Sequence, residues 1–128
     1  MEAESYSDMN LVYFNSRDQF LRIDMQKIVY FEADGNLTHI FTTNKLKSTV
    51  NMNLGKMEEF LSTQYGKKAM SLFLRLGKKY IINMDYIYLI NVAKQRLILS
   101  DYQTFAFQLP TSKEALKKVK ELVIETKR

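Results

Sequence analysis

The stretch Phe73-Leu-Arg-Leu-Gly-Lys-Lys-Tyr-Ile-Ile-Asn-Met-Asp-Tyr-Ile87 places an apolar run, a cationic turn and a second apolar run within fifteen residues. The apolar side chains on both sides must be buried in a common core, so Gly77, Lys78 and Lys79 are held out at one end of that core. Exposed lysines on a rigid support favour an acidic partner, and the most abundant rigid polyanion in a cell is a nucleic acid. The stretch therefore predicts a presented loop that faces a polyanion.

This stretch also resembles the signature of the LytTR family of bacterial DNA-binding domains, roughly Phe-x-Arg-x-His-x-Ser-Tyr-x-Val-Asn-x-x-x-Ile. The positions that agree are Phe73, Arg75, Tyr80, Asn83 and Ile87. Two further family elements follow the family order. Residues 28 to 36 match Ile-x-Tyr-hydrophobic-Glu-Ala-x-Gly-Asn, and residues 109 to 113 match a hydrophobic-Pro-x-Ser-Arg-like start of the last helix. The resemblance covers about residues 10 to 123, and the combined spacing is far more specific than any single element.

Three positions depart from the family pattern. Gly77 stands where the family often has histidine, and Lys79 stands where it often has serine. Lys113 replaces the usual arginine and so lacks the planar fork that grips guanine or phosphate at two points. We therefore expect a sequence preference that differs from that of other members or is weaker, while general affinity for DNA can remain strong.

Length and charge indicate one domain with a basic surface. A chain of 128 residues is long enough for one ordinary domain and too short for two. Residues 1 to 9 contain Glu2, Glu4 and Asp8 and are predicted to be a disordered acidic tail, with the LytTR-like DNA-binding domain at residues 10 to 128. That part carries 19 basic and 11 acidic residues, against a net charge of +5 for the whole chain. The excess favours polyanions, although many ordinary proteins are as basic.

Several other classes of protein are disfavoured. No apolar run reaches the length of a membrane span, and the polar, acidic start lacks the basic and apolar regions of an export signal. The absence of cysteine rules out disulfides and thiolate metal sites. We therefore expect a cytoplasmic protein without membrane insertion.

The first half of the chain predicts two hairpins and a helix. Polar turn formers separate apolar runs around residues 11 to 14 and 20 to 23, and Asp34-Gly35-Asn36 separates strand-like residues 27 to 32 and 37 to 43. From Leu54 the apolar residues recur at helical spacing, with Asn53 available as a cap. The segment Tyr65-Gly66-Lys67-Lys68 is predicted to end this helix.

The second half predicts strands at residues 72 to 76, 86 to 92, 96 to 99 and 104 to 109, followed by a helix. Thr111 and Glu114 have the spacing of a capping box at the start of that helix, and its lysines lie opposite an apolar stripe. The predicted fold class is therefore mainly β with two short helices (α+β). The resemblance implies an elongated, multi-sheet antiparallel β fold of LytTR type with a C-terminal amphipathic helix.

The residues do not indicate an enzyme. His39 is the only histidine and has no second ligand at metal-binding spacing, and the adjacent Glu58 and Glu59 point about 100° apart on a helix. Gly66-Lys67-Lys68 lacks the rest of a phosphate-binding loop, so its lysines are interpreted as solvated charges. We expect no catalysis, no cofactor and no metal.

The resemblance implies that loops enter successive major grooves of double-stranded DNA, commonly at tandem direct repeats. The corresponding loops are residues 34 to 38 with His39 close by, residues 77 to 79, and residues 111 to 113. The residues that it assigns to DNA are Asn36, Thr38, His39, Arg75, Lys78, Lys79, Ser112 and Lys113. Lysine side chains can reach guanine N7 and O6, and a helix start suits a phosphate.

Some alternatives remain open at this level. Arg75 fits a structural ion pair with Asp85 or Glu32 as well as a DNA contact, and Asn83 is best interpreted as structural. A β-rich RNA or single-strand binder is the second hypothesis, although most of the aromatic residues should be core. The third is a non-catalytic protein interaction module. With about ten residues before the first strand there is no room for a receiver domain, so we expect control by abundance, by a regulatory protein partner or by cooperative binding of a monomer or weak dimer.

Overall fold

The computed structural model describes residues 10 to 126, which form ten strands and two α-helices. The predicted acidic tail at residues 1 to 9 lies outside the described residues. The strands are β1 Leu11–Asn15, β2 Phe20–Asp24, β3 Ile28–Asp34, β4 Leu37–Thr42, β5 Lys47–Val50, β6 Phe73–Leu76, β7 Tyr80–Asn83, β8 Ile87–Asn91, β9 Arg96–Ser100 and β10 Ala106–Pro110. The helices are α1 Leu54–Leu72 and α2 Lys113–Thr126, and short 3₁₀ turns occupy Met25–Lys27 and Met84–Tyr86.

The strands pair into three antiparallel sheets. β1 and β2 form a hairpin, β10-β9-β8 form a three-stranded sheet, and β5-β4-β3-β7-β6 form a central five-stranded sheet. Both hairpins predicted in the first half of the chain are confirmed as β1–β2 and β3–β4. The predicted mainly β fold class is confirmed as well, although α1 is longer than a short helix.

The central sheet is covered on both faces, which explains the nearly continuous apolar run at the start of β3. Phe31 lies opposite Ile40 of β4 and Ile81 of β7, and all three belong to a core shared with α1 and the β1–β2 hairpin. Tyr30 and Ile82 face the other way, into a second core shared with the three-stranded sheet and α2. The prediction that most aromatic residues are core is confirmed at Phe31, Phe73 and Phe105.

The predicted cap of α1 is confirmed, and its predicted end is confirmed in part. Asn53 Oδ1 accepts a hydrogen bond from Lys56 N at 2.8 Å. At Gly66 the backbone leaves helical geometry, with φ 58° and ψ −138°, and the helix then resumes as far as Leu72. The chain bends there and continues because Ala69 and Leu72 are buried in the core.

The cap of α2 differs by one residue from the prediction. Ser112 Oγ accepts from Ala115 N at 3.2 Å, and Ser112 O accepts from Leu116 N at 3.0 Å. Thr111 instead donates its backbone N–H to Gln95 O at 3.2 Å, which fixes it to the β8–β9 turn. The capping box of Thr111 and Glu114 is therefore wrong, and Ser112 begins the helix.

Within residues 10 to 126, neither helix is sufficiently long and apolar to cross a membrane.

Candidate nucleic-acid interface

The first predicted loop is the two-residue turn between β3 and β4. Gly35 occupies it with φ 59°, in the left-handed region that glycine adopts without steric cost. The flanking Asp34 and Asn36 are exposed. The turn therefore presents a carboxylate and an amide to solvent at one end of the central sheet.

The second predicted loop, Gly77 to Lys79, lies beside the first because β7 pairs with β3. Ala33 N donates to Lys79 O at 2.8 Å, which ties the two turns together. Gly77 has φ 63°, and a Cβ at this position would meet no atom within 4 Å, so backbone conformation and not crowding favours glycine. Lys78 is exposed and makes no ion pair with any described residue.

Arg75 organises this second loop from behind. Its guanidinium donates to Gly77 O at 2.9 Å and to Lys78 O at 3.4 Å, and it pairs with Glu58 Oε1 of α1 at 3.0 Å. The sequence left open two roles for Arg75, a structural ion pair and a DNA contact, and the structure contains the ion pair. Its partner is Glu58, and neither Asp85 nor Glu32 takes that place.

Lys79 is partly neutralised by its neighbours. Its Nζ lies 3.6 Å from Glu32 Oε2 and 5.6 Å from the centroid of the Tyr80 ring. Burial raises the pKa of Tyr80, while the adjacent Lys79 lowers it and Glu32 raises it. Lys78 is thus the cation of this loop whose charge is most available to a ligand.

The third predicted loop joins β10 to α2 and lies next to the second. Gly77 and Ser112 line the same groove of about 580 Å³ between β6 and α2. Lys113 is exposed at the first position of α2. The fold therefore brings all three predicted loops to neighbouring positions.

Two of the predicted site residues do not face solvent freely. Thr38 is fully buried and its hydroxyl donates to Met52 O at 2.7 Å, so its side chain does not reach the surface of the first loop. His39 has a side chain that is 13% exposed, with Nε2 2.8 Å from Asp34 Oδ2 and Nδ1 2.8 Å from Thr49 Oγ1. Both ring nitrogens are engaged, so His39 holds Asp34 in place beside the first turn. No group of three potential metal ligands lies among residues 10 to 126.

Sequence reasoning missed a neighbour of the first loop. Asn36 lines a shallow groove together with Asn51 and Lys56, all three of them exposed. They meet because β5 runs beside β4 and brings the start of α1 to this end of the sheet. β5 was not predicted, and without it the position of Lys56 could not be inferred. The helical pattern beginning at Leu54 was the one sequence signal that placed Lys56 on the first turn of a helix.

A β scaffold that carries exposed lysine, amide and hydroxyl groups on adjacent turns is typical of binding domains that contact their ligand through loops. The family model described as the LytTr DNA-binding domain matches residues 18 to 124, and the chain belongs to that family. DNA binding is therefore the general function that the family supports.

A similar solved structure is the LytTr DNA-binding domain of a protein from Bacillus cereus described as a methyl-accepting/DNA response regulator. It has 21% sequence identity and a TM-score of 0.62, with 88% of this chain and 95% of that chain covered. At this identity the likeness supports the fold alone. No curated protein matches the chain.

Proposed function

We propose that this protein binds double-stranded DNA sequence-specifically, as a cytoplasmic bacterial transcriptional regulator without catalytic activity. The observation that carries the proposal is the convergence of three separately predicted loops, joined by the Ala33–Lys79 hydrogen bond and by the groove that Gly77 and Ser112 share. The β3–β4 and β6–β7 turns lie side by side at one end of the five-stranded central sheet, so the side chains of both turns can approach the same face of a duplex.

The roles of the proposed contact residues follow from their exposure. Lys78 and Lys113 are exposed cations that can donate to guanine N7 and O6. Asn36 can pair with adenine or with a phosphate, and Lys56 adds a cation to the groove beside it, which Glu59 also lines. Ser112, at the start of α2, suits a phosphate because its hydroxyl, free amides and the helix dipole converge there.

Three of the residues that the family resemblance assigns to DNA have supporting roles in this proposal. Arg75 shapes the second loop, and His39 fixes Asp34 beside the first. Lys79 adds local positive charge that Glu32 partly offsets. At a tandem site, each repeat would then be occupied by one copy of the chain through the same set of loops.

The proposal is tested by measuring duplex affinity over a range of salt concentrations for Lys78→Ala, Lys113→Ala and Lys67→Ala. Replacing a lysine that reads a base should weaken binding by about 1 to 3 kcal/mol and relax the sequence preference at one position. Replacing a lysine that contacts a phosphate should weaken binding to all sequences alike and lower the salt slope by about one unit.

Lys67 is the matched control. It is exposed in the last part of α1, which leads into β6 at the end of the central sheet opposite the three loops. Its replacement should leave affinity nearly unchanged. If Lys67→Ala lowers affinity as much as Lys113→Ala does, the binding surface lies elsewhere and the proposal is wrong.

A further inference from the structure

A second surface, at the other end of the fold, has the character of a protein-docking site. A groove of about 720 Å³ is lined by residues that include Lys45, Tyr88, Ile98, Tyr102 and Phe107. Tyr102 is 79% exposed and Tyr88 is 54% exposed, and their rings meet edge to face with centroids 5.4 Å apart. We call these five residues the aromatic groove.

The aromatic groove lies away from the three loops. Thr111 follows one end of β10, whereas Tyr102 lies in the loop before its other end, roughly 15 Å away along the strand. Lys45 lies in the β4–β5 turn, and the first loop lies at the opposite end of β4. A ligand in the aromatic groove therefore leaves the loops free.

The exposed position of Tyr102 is imposed by an ordered loop. Tyr102 has φ 72°, a conformation that residues other than glycine, asparagine and aspartate rarely adopt. Asp101 Oδ1 accepts from the backbone N–H groups of Gln103, Thr104 and Phe105 at 2.7 to 3.1 Å. The fold thus holds a disfavoured backbone conformation at a ring that remains mostly in solvent, and such strain concentrates at functional positions.

Tyr88 is displayed by a separate irregularity. Ile87 pairs with Leu99 and Leu89 pairs with Ile98, so Tyr88 is the extra residue of a β-bulge. Bulges redirect a side chain at the expense of regular pairing. Two independent departures from regular backbone therefore present two tyrosines to the same groove.

The charges around the aromatic groove identify the chemistry of its occupant. Lys45 is the one charged residue among the described residues that line it. Arg22 and Lys27 line the neighbouring groove on the other side of the β4–β5 turn, together with Asp24, whose carboxylate accepts from Gln26 N. The carboxylate of Asp101, next to Tyr102, is occupied by three backbone N–H groups, so Lys45 is the charge that the groove offers to a ligand. Aromatic side chains beside a lysine favour a ligand that combines apolar groups with carboxylates.

We propose that the aromatic groove binds an acidic segment of a partner protein, which inserts aliphatic or aromatic side chains between Tyr88 and Tyr102 while its carboxylates face Lys45. This adds a function to the proposed DNA binding and does not depend on it. Because the two surfaces are separate, the partner and DNA can be bound at the same time.

The test is selection of a displayed library of random linear peptides on the full chain. Enriched peptides are then measured against Tyr102→Ser, Lys45→Glu and the control Tyr13→Ser, which removes an exposed tyrosine from β1. The proposal expects peptides that combine Asp or Glu with apolar residues. Their affinity should fall about tenfold or more on Tyr102→Ser and on Lys45→Glu, and stay unchanged on Tyr13→Ser. Lys45→Glu keeps both tyrosines, so it tests the groove even if Tyr102→Ser changes the conformation of the loop.

Four results would overturn the proposal. The first is no enrichment, or enriched peptides that bind all the variants equally. The second is a set of peptides that are basic or uncharged. The third is self-association of the chain in sedimentation that Tyr102→Ser abolishes, which would make a second copy the occupant. The fourth is a loss of duplex DNA affinity in Tyr102→Ser, which would assign the groove to nucleic acid.

Discussion

Arg75 and Glu58 form an ion pair, with 3.0 Å between NH1 and Oε1, that joins α1 to the turn between β6 and β7. The same guanidinium donates to the carbonyl oxygens of Gly77 and Lys78. Those carbonyls are thereby turned toward the protein, so the backbone acceptors of the loop do not face an approaching phosphate. Arg75 therefore acts on the proposed interface through the shape of the loop.

Replacing Glu58 with Gln should reduce duplex affinity even though it removes a negative charge. Without the carboxylate, Arg75 loses its anchor and the loop is less ordered, with an expected loss of about 1 kcal/mol. The measurement is a binding isotherm at several salt concentrations, in which the salt slope should not change because no phosphate contact is removed. Arg75→Lys should have a similar effect, since an ammonium cannot bridge three acceptors as the planar fork does.

The control for Glu58→Gln is Glu59→Gln, which removes the same charge from the next residue of α1. Glu59 is exposed and makes no ion pair with a described residue. If Arg75 contacted DNA directly, Glu58→Gln would release it for that contact and raise affinity. An increase for Glu58→Gln above that for Glu59→Gln would therefore contradict the positioning role.

Asn36 and Thr38 lie two residues apart but should respond to substitution in opposite ways. Thr38→Val leaves Met52 O without its buried donor and should lower the free energy of unfolding by about 1 kcal/mol. It should leave the DNA preference of the folded protein unchanged. Asn36→Ala should leave unfolding unchanged and weaken DNA binding. Denaturant unfolding and duplex affinity, measured on both variants, check this, and a reversed pattern would remove Asn36 from the proposed interface.

Asn83 should be important for stability and unimportant for DNA recognition. It is completely buried, donates from Nδ2 to Ile28 O at 2.8 Å and accepts from Asp85 N at 2.9 Å. Asn83→Ala leaves both backbone groups without their side-chain partner, so the free energy of unfolding should fall by about 1 to 3 kcal/mol. Denaturant unfolding measures that loss. A stable Asn83→Ala variant with altered sequence preference would mean that this signature position reads DNA.

Asp101 should make the loop that carries Tyr102 sensitive to acid. Partial burial acts to raise the pKa of its carboxyl, but the backbone N–H groups of Gln103, Thr104 and Phe105 outweigh this and hold the pKa below the ordinary value of 3.8. A lowered folded-state pKa stabilises the fold above the ordinary value, and that contribution is lost as the pH falls toward the folded pKa. Asp101→Asn should therefore lower Tm most at neutral pH.

The check is the difference in Tm between Asp101→Asn and the unchanged chain as a function of pH. It should shrink as the pH falls below about 3.8. Asp18→Asn, which removes an exposed carboxylate from the β1–β2 turn, is the matched control for the loss of a surface charge. A difference that stays constant across this range would mean that the ionised carboxylate of Asp101 does not hold the loop.

Sequence predicted the elements that local chemistry specifies. Asn53 was predictable as the cap of α1 because a short polar side chain directly before a segment of helical apolar spacing can accept from a free backbone N–H. Gly35 was predictable as the β3–β4 turn because few other residues tolerate its positive φ. Asn83 could be interpreted as structural because an amide between apolar runs must satisfy neighbouring backbone groups. Each of these inferences needed only residues within a few positions of one another.

The features that sequence did not predict depend on contacts between distant segments. β5 is only four residues long, and its Lys-Ser-Thr-Val composition signals little until β4 lies beside it. Glu58 and Arg75 are 17 positions apart, and their pairing requires α1 to pack across β6. The burial of Thr38 likewise depends on Met52, which arrives from the segment after β5. Local sequence patterns could not show which of several distant residues would be the contact partner in each case.

Sequence-specific binding is tested most directly by selecting a random double-stranded DNA library on the purified chain, at low and at near-physiological salt. We expect an enriched motif that persists at the higher salt, with copies in direct orientation about one or two helical turns apart. Binding that is tight at low salt, unselective among sequences and lost at the higher salt would contradict it. That result would mean that only the basic surface, and not the three loops, recognises duplex DNA.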